Sequence, residues 1–319
     1  MDIGKNLSCK IRLQAEKTMK IADKINELKK EKNAVILAHN YQLPEIQDIA
    51  DFVGDSLGLS IEAARTNAAI IVFCGVHFMA ETAKILSPQK KVLLPDKNAG
   101  CPMADMIDPE GLKALQAKHP DAVTMCYVNT SAAIKAQCDY CCTSANAVKM
   151  AQKILLTHKE IIFVPDRYLA QYVSTQVNYD FITWEGYCPI HAEILPENIM
   201  QAKRLHPNAK VIVHPECKPI ITDCSDIVAS TEGMSKYIKS SAEKEFIIGT
   251  ETGIIHRLKK ENPDKIFYPA TESAFCPNMK RINLKKVLHS LENLSYEITL
   301  PPDIMEKARL SIERMLQTI

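Results

Sequence analysis

Three cysteines in this chain are each followed by proline, at Cys101, Cys188 and Cys276, and none of the other eight is. The intervals are nearly equal, 87 residues from 101 to 188 and 88 from 188 to 276. A period of that size describes a domain-sized unit repeated three times, with one thiol in each. Three thiolates gathered on a shared axis would hold a metal centre and leave it an open position, and open positions are where metal sites do chemistry. Cys138, Cys141 and Cys142 come close to a metal-ligand spacing. They sit inside an apolar run that reads as a strand, where alternate side chains face opposite ways, so they are expected to be structural. Cys9, Cys74, Cys126, Cys217 and Cys224 read as small buried hydrophobes.

The period recurs away from the cysteines. ADFVGDSLGL from Ala50, CDYCCTSANA from Cys138 and SDIVASTEGM from Ser225 align, with Asp51, Asp139 and Asp226 second in each. Five residues further on stand the hydroxyls of Ser56, Ser144 and Thr231. Twelve residues before each aspartate a polar aromatic residue closes an apolar run: His39, Tyr127 and His214. Two further along come Tyr41, Asn129 and Glu216. Four independent landmarks on one period make a threefold internal repeat.

The elements that must position these residues can be read from the same alignment. Each unit has four short, continuous apolar runs, as in VTMCYV, DYCCT, EIIFVP and DFITW, separated by amphipathic stretches. Runs of this kind describe strands buried on both faces with helices covering them. The expected fold class is α/β: three homologous α/β/α sandwich domains with parallel sheets, arranged around a pseudo-threefold axis. The repeats would span 1–101, joined by the tail 277–319, then 102–188 and 189–276, with the active site at their junction. A leading helix would place Ile11, Ala15, Met19, Ala22 and Ile25 on one side. The tail, a helix LKKVLHSLENL, a strand-like YEITL and a helix after Pro301-Pro302, is expected to close against the first unit. Ligands of open parallel sheets sit beyond the carboxyl ends of the strands, often at helix N-termini. The strand-end residues, the helix-start hydroxyls and the Cys-Pro steps all belong to that edge, so three edges turned inward would form one polar, thiol-bearing cavity.

Composition removes other classes. Lys+Arg 39 against Asp+Glu 38 gives a formal charge of +1 without a basic tract, so no nucleic-acid partner is expected. No apolar stretch reaches bilayer length, and no membrane association is expected. Eleven cysteines without a secretory signal suit reduced thiols or metal ligands in a cytoplasmic protein. Single hydroxyls ahead of helices are ordinarily N-caps, and a histidine at a strand end is as often structural as catalytic. Recurrence in phase gives weight to Ser56, Ser144, Thr231, His39 and His214. His77, His119, His158, His191, His206, His256 and His289 read as surface, capping or structural residues.

The stretches ILAHNYQLPEIQDIADFVGDSLGLS, VFCGVHFMAETAKIL, GCPMADM, CYVNT, GYCPIHAEI, HPEC and FCPNMKRI resemble the quinolinate synthase family, in order and over essentially the whole chain. That resemblance implies a 4Fe-4S cluster held by three cysteines with one open iron, here Cys101, Cys188 and Cys276. It implies condensation of iminoaspartate (iminosuccinate) with dihydroxyacetone phosphate to quinolinate, with loss of phosphate and water, in de novo NAD biosynthesis. An aspartate-oxidising enzyme would be a transient partner supplying the imine. His39, Tyr41, His214 and Glu216 are the expected catalytic residues, Glu216 nearest the open iron and Tyr41 closing over the substrate. Ser56, Tyr127, Asn129, Ser144 and Thr231, with His39, His214 and Glu216, are the expected substrate-binding set. Asn40 stands where many relatives carry a second tyrosine, and CPNMKR carries no extra cysteine for a redox disulfide. Three alternatives stay open: another 4Fe-4S-dependent hydro-lyase acting on a small carboxylic acid, a radical enzyme disfavoured by the absence of a tight three-cysteine motif, and a zinc-bound structural protein.

Overall fold

The computed structural model describes residues 18–318; Cys9, Ile11 and Ala15 lie outside that range. Twelve strands among the described residues form three separate four-stranded sheets, and every pairing within them is parallel. The first contains β1 (Ala34–His39), β2 (Phe52–Gly54), β3 (Ile70–Cys74) and β4 (Lys91–Leu93) in the order β2-β1-β3-β4. The second has β5 (Val123–Tyr127), β6 (Tyr140–Cys142), β7 (Ile161–Val164) and β8 (Ile182–Thr183) in the order β6-β5-β7-β8. The third repeats it with β9 (Lys210–Val213), β10 (Ile227–Val228), β11 (Glu245–Gly249) and β12 (Ile266–Pro269) in the order β10-β9-β11-β12. The α/β class, with helices flanking three parallel sheets, is therefore as the sequence pattern implies.

Register is the same in all three. Leu37 pairs with Phe52, Met125 with Tyr140 and Ile212 with Ile227, a constant offset of 15 residues. The recurring aspartates explain why. Asp51, Asp139 and Asp226 each accept the backbone N–H of Ile36, Thr124 and Val211 at 2.8 Å through Oδ2. Each also returns its own N–H to the same residue's carbonyl, at 2.9, 2.9 and 3.0 Å. A carboxylate that brackets one residue of the neighbouring strand pins that strand's slide, and a slip would leave a polar group without its partner.

The cores follow from strand composition. IIVFC of β3 and IIFV of β7 are buried along their whole length, as expected for strands covered on both faces. Cys141 and Cys142 point into different apolar clusters, and Cys141 lies 3.3 Å from Cys126, sulfur to sulfur. Cys138, Cys74 and Cys217 are buried too, whereas Cys224, expected to be buried, is exposed where the short helix Pro219–Asp223 ends.

Two expectations about the chain ends need correction. In the helix over 18–31, Ile25 is buried with Ile21, Ala22 and Leu28 packed beside it, but Met19 is 61% exposed. The buried stripe runs through 21, 25 and 28, which leaves Met19 off its face. At the other end, YEITL makes a single antiparallel bridge, Glu297 to Leu93, at the edge of the first sheet, rather than a strand. Leu94 N donates to Tyr296 O and Ile298 N to Val92 O, and β4 ends at Leu93, so the ladder has little to extend along. The terminal helix Pro302–Leu316 packs chiefly against β6 and the helix Ala132–Lys135 of the second unit, with a smaller contact to the helix His77–Leu86 of the first. Ser311 marks that seam, donating to Lys135 O at 3.0 Å and accepting from the Cys141 thiol.

Asp139→Ala should destabilise the protein by about 1–2 kcal/mol, because Thr124 N–H loses its partner at a half-buried strand start. Urea unfolding followed by circular dichroism measures this; an unchanged midpoint would contradict the bracket.

Candidate active site

Parallel strands deliver all their carboxyl ends to one edge, and the three edges open on one cavity of about 240 Å³. All twelve residues singled out from the sequence line it: His39, Tyr41, Ser56, Cys101, Tyr127, Asn129, Ser144, Cys188, His214, Glu216, Thr231 and Cys276. Val76, Phe78, Met79 and Met103 add an apolar wall, while no lysine or arginine among the described residues lines the cavity.

The three cysteines share one local design. Proline follows each, and the chain then makes a short helical turn, Ala104–Met106, Pro189–Ala192 or Met279–Arg281. Backbone amides of that turn face the sulfur: Ala104 and Met103 at Cys101, His191 at Cys188, Met279 and Asn278 at Cys276. All three thiols are free. Burial outweighs those amides, pushing Cys101 up to about 12 and raising Cys188 and Cys276 as well. A cation would reverse that balance, since thiolate is the form metals bind. One sulfur from each unit, ringed by amides and facing a common space, is a donor set suited to a shared soft metal centre.

The strand-end histidines are set alike. The N–H of Tyr41 donates to His39 Nδ1 at 3.2 Å and that of Glu216 to His214 Nδ1 at 3.3 Å. Nδ1 is thereby an acceptor, so the neutral ring carries its proton on Nε2 and presents a donor. His214 Nε2 meets Ser144 Oγ at 3.2 Å. Burial is the main cause holding both rings neutral, and each is lowered to about 3, Lys280 assisting at His39.

Glu216, 3% exposed, is the charged centre of the site. Burial would raise its carboxyl, but His191, His214 and the Tyr127 hydroxyl outweigh that and hold it below the ordinary range. Tyr127 OH donates to Oε1 at 2.5 Å and His191 Nδ1 lies 2.8 Å from Oε2. Burial, then Glu216, raises the Tyr41 and Tyr127 hydroxyls well above their usual range, so both remain protonated.

The hydroxyls are not the helix caps. Asp55 and Ser230 take that role, accepting from Gly58 N and Gly233 N, and Ser56 and Thr231 are the first helical residues after them. This frees both for the cavity at helix N-termini, where the backbone favours anions. Asn40, fully buried, ties two units together: its Nδ2 donates to Thr231 Oγ1 at 2.9 Å and its Oδ1 accepts from Arg257 at 2.9 Å. Asn129 Oδ1 is buried and has no hydrogen-bond partner among the described residues. A closely packed corner lies behind Tyr41. Lys280 pairs with Glu251 at 2.9 Å and also donates to the Tyr41 carbonyl, while Glu251 accepts the Cys276 N–H at 3.0 Å. Gly253 admits these groups because a Cβ there would sit 2.6 Å from Lys280 Nζ and 3.0 Å from the Tyr41 backbone.

His191 is the main residue that the sequence reading passed over. It is 2% exposed, and its Nδ1 also lies 3.1 Å from Cys188 Sγ. Cys188, His191 and Glu216 bring their ligand atoms within 4.8 Å of one another, enough to hold a metal ion. The repeat concealed it: the residue three beyond the other two Cys-Pro cysteines is Ala104 or Met279. The signal was the break in period.

Three parallel α/β units closing a buried, thiol-bearing cavity define an enzyme that acts on small molecules at a unit junction. Comparison with known proteins narrows that class. Residues 23–317 match the family described as Quinolinate synthetase A protein. The chain is 54% identical over 296 residues to the quinolinate synthase of Methanosarcina barkeri, covering 93% of this chain and 97% of that protein. It is 54% identical to the quinolinate synthase of Dehalococcoides mccartyi strain CBDB1, covering 94% and 98%, and 52% identical to that of Thermodesulfovibrio yellowstonii, covering 93% and 98%. The chain belongs to the quinolinate synthase family. No helix among the described residues is long and apolar enough to cross a membrane.

The two site histidines make acid sensitivity predictable. Unfolded rings bind protons below about 6.5, while the folded ones stay neutral down to about 3. Between those values the unfolded state binds more protons, so stability falls as pH drops through that window. Nitrogen-15 spectra of the imidazoles should show both rings neutral from about pH 5 to pH 8; a titration of either near its ordinary value would contradict the assignment.

Proposed function

We propose that this enzyme condenses iminoaspartate with dihydroxyacetone phosphate to quinolinate, releasing phosphate and water, at a 4Fe-4S cluster held by Cys101, Cys188 and Cys276. The observation that carries this reading is one free, amide-ringed thiol from each of three units on the wall of a single cavity. When bound, such a cluster supplies a Lewis-acidic open iron that eases departure of a hydroxyl as water.

The chain's own residues account for the rest. Both substrates are anions, yet no lysine or arginine among the described residues lines the cavity, so recognition falls to dipoles. The helix starts at Ser56 and Thr231, the hydroxyl of Ser144 and the Nε2–H groups of His39 and His214 donate to carboxylate and phosphate oxygens. Asn129, whose side-chain oxygen is unpartnered, accepts from a substrate N–H or O–H. Phe78, Met79 and Met103 exclude water from the reacting carbons. Glu216, ionised, accepts protons shed as the ring closes, its basicity limited by Tyr127 and His191; Tyr41 closes over the substrate.

Unit boundaries at the Cys-Pro steps, a cytoplasmic setting and transient supply of the imine by an aspartate-oxidising enzyme belong to the same proposal. The Cys188, His191 and Glu216 set favours a second reading, a zinc ion held there.

Anaerobic reconstitution with iron and sulfide, followed by assay of quinolinate from the two substrates, tests the reading directly. Glu216→Gln in the loaded enzyme should lower kcat by about a hundredfold or more; turnover near wild type would remove Glu216 from the chemistry. Absence of quinolinate from loaded wild-type enzyme would reject the reaction.

A further inference from the structure

Thr250 is 1% exposed, lies outside the cavity wall and touches two groups that belong to it. Its Oγ1 is 2.5 Å from the Tyr41 hydroxyl and 2.8 Å from His191 Nε2. Beyond the ring, His191 Nδ1 meets Glu216 Oε2 at 2.8 Å. A continuous chain of hydrogen bonds therefore runs behind the cavity from the first unit's tyrosine to the third unit's carboxylate.

An ionised carboxylate only accepts, so His191 Nδ1 donates to Glu216. Thr250 then bridges the outer nitrogen of that ring and the Tyr41 hydroxyl, and its bond to Tyr41 holds that hydroxyl at one place against the third unit.

The repeat supplies an independent argument. Ala38 pairs with Cys74, Cys126 with Val164 and Val213 with Gly249, each pair directly preceding the strand-end residue of its unit. The equivalent positions one residue on are Gly75, Pro165 and Thr250. A side-chain hydroxyl is available at this place in the third unit alone, which is the unit whose edge faces Tyr41 of the first. A position filled for packing would not need the oxygen: Gly75 and Pro165 stand at the same register position without one.

We propose that Thr250 is a positioning residue that fixes the rotamer of Tyr41 and so the place at which its hydroxyl meets the substrate. This rests on the functional reading above, in which Tyr41 meets the substrate, and deepens it by assigning what sets that contact. Thr250→Val keeps the shape and removes the hydroxyl; Thr250→Ser keeps the hydroxyl.

The test compares these variants, Tyr41→Phe and the double variant in cluster-loaded enzyme, together with a crystal structure of Thr250→Val. Thr250→Val should lower kcat/KM about tenfold, the worth of one well-placed hydrogen bond. Thr250→Ser should recover most of that, and Thr250→Val should cost nothing further once Tyr41 is phenylalanine. The Tyr41 hydroxyl should shift by about 1 Å or turn in the valine variant. Wild-type kinetics in Thr250→Val, equal impairment in Thr250→Ser, or losses that multiply in the double variant would each overturn the proposal. If loaded wild-type enzyme made no quinolinate, the reaction assignment would fail, and an unmoved Tyr41 in the Thr250→Val crystal would separately overturn the positioning role.

Discussion

Parallel pairing with one shared register is the constraint from which the site follows. A parallel sheet sends every strand's carboxyl end to the same edge, and the 15-residue offset between first and second strands is the same in all three units. The aspartate brackets at Asp51, Asp139 and Asp226 hold that offset. With it fixed, His39, Tyr127 and His214 must reach equivalent depths, and so must the hydroxyls that open the next helices. A slip by one residue in any unit would withdraw its contribution from the cavity.

On this scaffold the described residues build the electrostatics of the wall without lysine or arginine. Two neutral histidines offer Nε2–H donors, helix N-termini add partial positive charge, and the buried carboxylate of Glu216 is matched by His191 and Tyr127. Lys280 and Arg257 stand one layer back, paired with the cavity-lining Glu251 and with Glu232 respectively. That second layer ties segment 39–42 of the first unit to the third: Arg257 reaches Asn40, and Lys280 reaches the Tyr41 carbonyl. An anionic substrate is thus met by dipoles of fixed direction rather than by mobile cations that it would have to strip of water.

The sequence disclosed what the repeat carries and hid what breaks it. The choice of three cysteines among eleven, the three sheets and the strand-end residues were legible because a period of 87 to 88 residues marks each three times. His191, Thr250 and Glu251 were not, because no counterpart of the same chemistry stands at all three equivalent positions. Their roles come from contacts distant in sequence, 25 residues for Glu251 with Cys276 and 59 for His191 with Thr250, which only the folded chain brings together. Asn40 was noticed as a departure, yet its partners Thr231 and Arg257 lie 191 and 217 residues away. The terminal helix was misjudged for a related reason: its apolar face has a clear pattern, but nothing in that pattern says whether the first or second unit is its floor.

The central claim is that Cys101, Cys188 and Cys276 serve one centre. Metal and acid-labile sulfide analysis of anaerobically purified protein, with its visible spectrum, tests it most directly. A shared centre gives brown protein with about four irons and four sulfides per chain, and loss of both when any one of the three cysteines is replaced by serine. Colourless protein holding about one zinc, or a full cluster surviving the loss of one of these cysteines, would contradict it.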